Sequence, residues 1–255
     1  MWWTNLFKDM SSTSFFNFSF LPAYTGYFLQ GMAYTLLLAV VSVALAVIPA
    51  LLLALMRLSK RKVIQCISGA YIAVFRSTPL LVQLSIIYFG LFTAISIPRI
   101  TILGFVDLSR FIPGVVALAL NSSAYVAEIF RAGILAVDKG QTEAARSLGL
   151  SSWQSMRLVV LPQAIKNVLP ALANEVVTMV KESSICSMLG MAELMFVSKT
   201  VATGTYITLA PYTIAALIYF CINYPASKAI EAIERRMRRG DKQSADLRSA
   251  PGKGV

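Results

Sequence analysis

The chain has 255 residues, of which 57% are hydrophobic and 14% charged. A soluble domain carries about a quarter charged residues and under half apolar ones, so this composition excludes an ordinary soluble enzyme and marks a membrane protein. The net charge is +11, but most basic residues form blocks beside hydrophobic runs, which is a topology signal rather than a nucleic-acid stripe. The three cysteines, Cys66, Cys186 and Cys221, lie far apart without a CxxC pair, and there is no histidine. A zinc site, a disulfide framework and most histidine-based catalytic constellations are thereby disfavoured.

Met1 to Met10 lacks the basic start and apolar core of a signal peptide. Residues 1–30 are expected to form an N-terminal interfacial arm. Trp2, Trp3, Phe7, Phe15, Phe16, Phe18 and Phe20 lie among polar residues there, and such aromatics favour the membrane–water boundary. Span one covers about Gly31 to Leu55, long enough for a hydrocarbon core of roughly 30 Å at 1.5 Å per residue. Pro49 is expected to kink it, and Arg57, Lys60, Arg61 and Lys62 follow. Span two covers about Val63 to Phe92 and is interrupted by Arg76-Ser77-Thr78-Pro79. An arginine and a proline inside a hydrophobic run predict a broken helix facing protein or water. After a loop with few charges, span three covers about Gly114 to Leu135 and contains Asn121, Tyr125 and Glu128.

Next comes a stretch too polar to span, Gln141 to Pro162. Thr142 to Leu148 is rich in helix formers, and Gly149 suits a left-handed helix end. Ser151 stands three residues before Gln154, the spacing of a capping box that opens a second helix. Pro162 ends that helix or restarts a new one. Span four, about Val168 to Leu189, carries Asn174, Glu175, Thr178, Lys181, Glu182, Ser183 and Ser184, so it must face a cavity or other helices. Span five covers about Tyr206 to Ile230. The organisation is therefore a transmembrane domain over 31–232 and a basic cytoplasmic tail over 233–255, disordered beyond about Gly240.

The expected fold class is all-α, with five transmembrane helices that put the chain ends on opposite sides. Of the 23 lysines and arginines, 17 fall in three places: the first loop, the polar segment with its flanks (Arg131, Lys139, Arg146, Arg157, Lys166), and the C-terminal end. This bias predicts the N-terminus outside, the C-terminus inside and the polar segment in the cytoplasm.

The polar segment also carries a spacing. Glu143-Ala144-Ala145, then Gly149, Val159 and Leu161-Pro162, resembles the EAA loop of bacterial ABC-importer permease subunits, with valine for the usual isoleucine. RSTPLLVQL (76–84) with Tyr88-Phe89-Gly90-Leu91, AYVAEIFRAGI (124–134) and NEVVTMVKESSICSMLG (174–190) are similar to the polar amino acid uptake family, with Ser77 for the usual glycine. The resemblance covers about residues 31 to 232. It implies a type I importer fold and a permease that pairs with itself or a sibling in the bacterial plasma membrane. It also implies two cytoplasmic ATPase subunits carrying ATP and Mg, and an external solute-binding protein. This chain itself is expected to bind no cofactor, and it has no G-x-x-x-x-G-K-[ST] phosphate loop. In such a family Glu143, Ala144, Ala145, Gly149, Leu161 and Pro162 belong to coupling helices that dock on the ATPase. A secondary transporter or channel, and a passive anchor, are the competing classes.

Depth nominates the substrate path. At 1.5 Å per residue, Arg76 lies roughly 20 Å from the cytoplasmic side, Lys181 and Glu182 roughly 21 Å from it, and Asn121 roughly 10 Å from the outside. Ionisable groups at that depth are functional candidates. A zwitterionic amino acid needs a cation for its carboxylate, which Arg76 offers in bidentate form, and an anion for its ammonium, which Glu182 offers. Thr78, Asn121, Tyr125, Lys181 and Ser183 complete the candidate set. The alternative is a structural network pairing Arg76 with Glu182, or Glu128 with Arg131.

Overall fold

The computed structural model describes residues 17–249 apart from Thr93 and Ser96, with side chains as far as Met237. The expected arm from Trp2 to Phe16 lies outside the described residues. Helix α1 spans Leu21–Arg57, so it begins before the expected Gly31. Phe20 and Phe28 explain the difference: they are buried with Leu194, Val197 and Ala215 rather than left at an interface. Pro49 lies inside α1, which is assigned as one helix through it.

Span two is broken, as its sequence predicts. Helix α2 covers Lys62–Ser77 and α3 covers Leu80–Ser85, widening into a π-helical turn over Ile86–Leu91. The two parts are bent by 106°. A short antiparallel hairpin follows, β1 at Thr101–Ile102 and β2 at Val106–Asp107. Asp107 then caps α4, accepting from the Ser109 amide at 2.9 Å. That cap starts α4 at Leu108, ahead of the expected Gly114, and the helix runs to Leu135 with Pro113 inside it.

Helices α5 (Lys139–Ser147) and α6 (Ser152–Ser155) make the polar segment. A π-helical turn over Met156–Val160 leads into α7, Leu161–Glu182, which tightens into a 3-10 turn over Ser183–Leu189. Span four thus starts earlier than the expected Val168. Helix α8, Leu194–Thr205, falls between the expected spans four and five. Helix α9 runs Leu209–Ser249, well into the stretch expected to be disordered.

Three of these helices are long and apolar enough to cross a membrane; the number is five if each bent pair counts as one span. The core is the α1–α4 seam, where Tyr34, Leu38, Ala39 and Val43 meet Phe111, Val115 and Leu118. Helix α4 packs in turn on α7. A methyl group on Gly133 would overlap the Val168 side chain, so this glycine permits a close α4–α7 approach.

Candidate functional site

The candidate residues around the break in span two converge. Pro79 ends α2 because it brings no N–H. Thr78 turns its hydroxyl back to Val74 O at 2.8 Å. Arg76 projects from the last turn of α2, and its guanidinium lies 5.4 Å from the centre of the Tyr125 ring, a cation–π contact from α2 to α4. Asn121, one turn before Tyr125, is 3% exposed and donates to Gln83 Oε1 at 2.8 Å. A cavity of about 450 Å³ beside this corner is lined by Arg57, Arg76, Ser77 and Glu128. Glu128 also accepts from Arg131 at 2.7 and 2.9 Å and lies 3.8 Å from Arg57. Glu128 therefore belongs to the structural network with Arg131.

The remaining candidates lie at the end of α7. Ser183 is buried, and its hydroxyl donates within its own helix to Val180 O at 2.9 Å. Glu182 is half-buried and Lys181 exposed. Lys181 lines a separate cavity of about 480 Å³ with Tyr219, Asn223 and Tyr224 from α9. Between the two groups, α3 packs against the Ser183–Leu189 turn.

The polar segment is a capped, hydrogen-bonded elbow. Gly149 adopts φ +86°, the left-handed conformation its position predicts. The capping box forms, with Gln154 N donating to Ser151 Oγ at 3.2 Å and Ser151 N to Gln154 Oε1 at 2.8 Å. Ala145 is buried against the elbow, while Glu143, Ala144, Leu161 and Pro162 face outward. Gln163 reaches Gln141 at 3.4 Å, tying α5 to the start of α7. At the tip, Leu148 is 85% exposed and Trp153 is 70% exposed. Exposed apolar side chains on a capped turn make this tip a candidate contact surface.

Residues 42–239 match the family of binding-protein-dependent transport system inner membrane components. The chain belongs to this family. It is 41% identical over 215 residues to the arginine transport system permease protein ArtQ of Bacillus subtilis strain 168, covering 84% of this chain and 94% of that one. Among solved structures it is similar to an amino acid ABC transporter crystallised with histidines: TM-score 0.78, 47% identity, 86% of this chain and 98% of that chain. The inward-facing MetNI methionine ABC transporter shares the fold, with a TM-score of 0.62 at 18% identity over 83% of this chain and 98% of that chain. The chain is thus a permease subunit of an ABC importer, and the secondary-transporter or channel reading has no support.

Within this inner membrane component, sequence reasoning passed over two buried polar groups, Gln83 and Glu193, and left the half-buried Glu175 outside the candidate set. Gln83 is 7% exposed and fills the corner at Pro79. Glu175 accepts from Ser122 at 2.8 Å, beside Asn121. Glu193 is 0% exposed. Its carboxylate caps α8, accepting from Met195 N at 2.9 Å and Phe196 N at 2.6 Å, and also takes the Tyr219 hydroxyl at 3.0 Å. Glu193 carried a local signal, an acid immediately before the first residue of an apolar helix.

Proposed function

We propose that this permease subunit carries a polar amino acid across the bacterial plasma membrane, as half of a pair with an identical or sibling permease. In this reading five spans run with the N-terminus outside and the C-terminus inside. An external solute-binding protein delivers the amino acid. Two cytoplasmic ATPase subunits, which hold ATP and Mg, drive the cycle. The observation that carries this reading is the elbow at Gly149. An apolar tip of Leu148 and Trp153 projects from a capped turn, and the chain passes from that turn into α7, whose far end holds Lys181 and Glu182. The names of its relatives support an amino acid as cargo.

In this reading Glu143, Ala144, Ala145 and Gly149 form the face that enters a cleft on the ATPase, and Leu161 and Pro162 pass movement into α7. Arg76 receives the carboxylate. Thr78, Asn121, Tyr125, Lys181, Glu182 and Ser183 surround the path, with Asn121 and Ser183 acting from buried positions. The test is Gly149→Asp in the complex co-purified with its ATPase and reconstituted in vesicles. A side chain strains the left-handed backbone at this position, and its charge enters the apolar tip. Insertion and assembly are expected to persist while amino acid uptake falls to background and ATP hydrolysis continues. Normal stimulated uptake by Gly149→Asp would overturn the coupling role.

A further inference from the structure

The break in span two creates a hydrogen-bonding problem that one side chain solves. In an unbroken helix the carbonyl of Phe75 would accept from the N–H four residues on, but that residue is Pro79. The carbonyl of Thr78 is stranded as well, because the amides of Val82 and Gln83 both turn to Pro79 O, at 3.0 and 3.2 Å. Within a hydrocarbon layer no bulk water replaces the missing donors. Gln83 supplies them. Its Nε2 lies 2.8 Å from Phe75 O, 3.0 Å from Thr78 O and 2.7 Å from Thr78 Oγ1. Its Oε1 accepts from Asn121 Nδ2 at 2.8 Å, and that same Nδ2 also lies 3.4 Å from Phe75 O. One amide therefore satisfies both stranded carbonyls and ties the corner to α4.

Arg76 lies inside this corner, one residue after Phe75 and two before Thr78. We infer that Gln83 is the positioning residue of the substrate site: it fixes the Arg76–Pro79 corner against α4 so that the Arg76 guanidinium stands over Tyr125. Gln83 touches no substrate; it acts through the backbone on either side of Arg76. The inference rests on the reading of Arg76 as the carboxylate-binding residue.

Two variants of the full permease–ATPase complex test it. Gln83→Met keeps the volume and removes both the donors and the acceptor. Gln83→Glu keeps an acceptor for Asn121 and, as a carboxylate, loses the donors, so the question survives if Gln83→Met fails to assemble. The first readout is the rate at which a methanethiosulfonate reagent modifies a cysteine placed at Ser77, with Cys66, Cys186 and Cys221 replaced by alanine. The second is binding of tritiated L-arginine and L-glutamine to the detergent-purified complex. Both variants are expected to speed Ser77→Cys modification about tenfold and to weaken binding of the retained amino acid about tenfold, the scale of one lost hydrogen-bonding arrangement. Assembly should persist, with a lower melting temperature because the two carbonyls lose their donor. A lower melting temperature with unchanged labelling and binding would make Gln83 a structural tie only and overturn the inference. Arg76→Ala separates the two readings. If it leaves binding unchanged, or if the wild-type complex retains neither probe, the amino acid reading of Arg76 fails, and the Ser77→Cys rate still decides whether Gln83 holds the corner.

Discussion

Glu193 shows how a buried carboxylate holds several helices at once. Its two oxygens accept from two amides at the start of α8 and from Tyr219 on α9. The adjoining Leu194 amide donates to Thr35 Oγ1 on α1 at 3.1 Å. Removing the carboxylate deletes a helix cap, worth about 0.5–2 kcal/mol, and leaves buried donors unsatisfied at about 1–3 kcal/mol. Glu193→Ala should therefore destabilise the chain by about 3 kcal/mol, and Tyr219→Phe, which removes one donor, by about 1 kcal/mol. Thermal unfolding of the purified subunit checks both. Because the two residues share one hydrogen bond, the double variant should cost less than the sum of the single ones. Equal stability of Glu193→Ala and the parent would contradict the role given to this carboxylate.

The elbow of α5 and α6 separates what a sequence reveals from what it hides. Ser151 and Gln154 satisfy each other across three residues, and Gly149 answers to its own backbone, so the turn is legible from local chemistry. Pro79 announces a break by its missing N–H, yet neither the 106° angle nor the role of Gln83 follows from it, because the acceptors of that amide are set by tertiary approach. Helix α8 went unread because its twelve residues are too short to span and its Ser, Thr and Lys residues imitate a loop. The start of α1 was placed too late for another reason: aromatics from Phe20 to Phe28 fit either a membrane interface or a buried seam. The elbow also carries its own prediction. Leu148 and Trp153 project outward, so Leu148→Ala with Trp153→Ala should leave thermal stability within about 0.5 kcal/mol of the parent, as surface changes do. Loss of a central aromatic anchor typically costs 2 kcal/mol or more of association energy, so co-purification of the ATPase should fall by about tenfold or more. Undiminished recovery of the ATPase would place its contact elsewhere.

At the scale of the whole molecule, the hairpin tip and the elbow lie at opposite ends of α4. Asp107 of the hairpin caps the start of α4, and Asp138 caps α5 just beyond its end, accepting from the Gly140 amide at 2.7 Å. At 1.5 Å per residue, the 28 residues of α4 span about 42 Å, more than the roughly 30 Å hydrocarbon core. If α4 crosses, its two ends emerge on different faces. The positive-inside rule then predicts a cytoplasmic elbow: the elbow side holds Arg131, Lys139, Arg146, Arg157 and Lys166, whereas the hairpin side has Arg99 and Arg110. In a chain whose three native cysteines are replaced, a cysteine at Leu103 on the hairpin tip should react with a membrane-impermeant maleimide in intact cells. A cysteine at Leu148 should react only after the membrane is opened. Both positions are strongly exposed on the chain, so in cells expressing the permease without its ATPase a difference in labelling reports the side of the membrane rather than burial. The reverse pattern would invert the topology and remove the elbow from the reach of a cytoplasmic ATPase. Labelling of both positions in intact cells would mean that α4 does not cross.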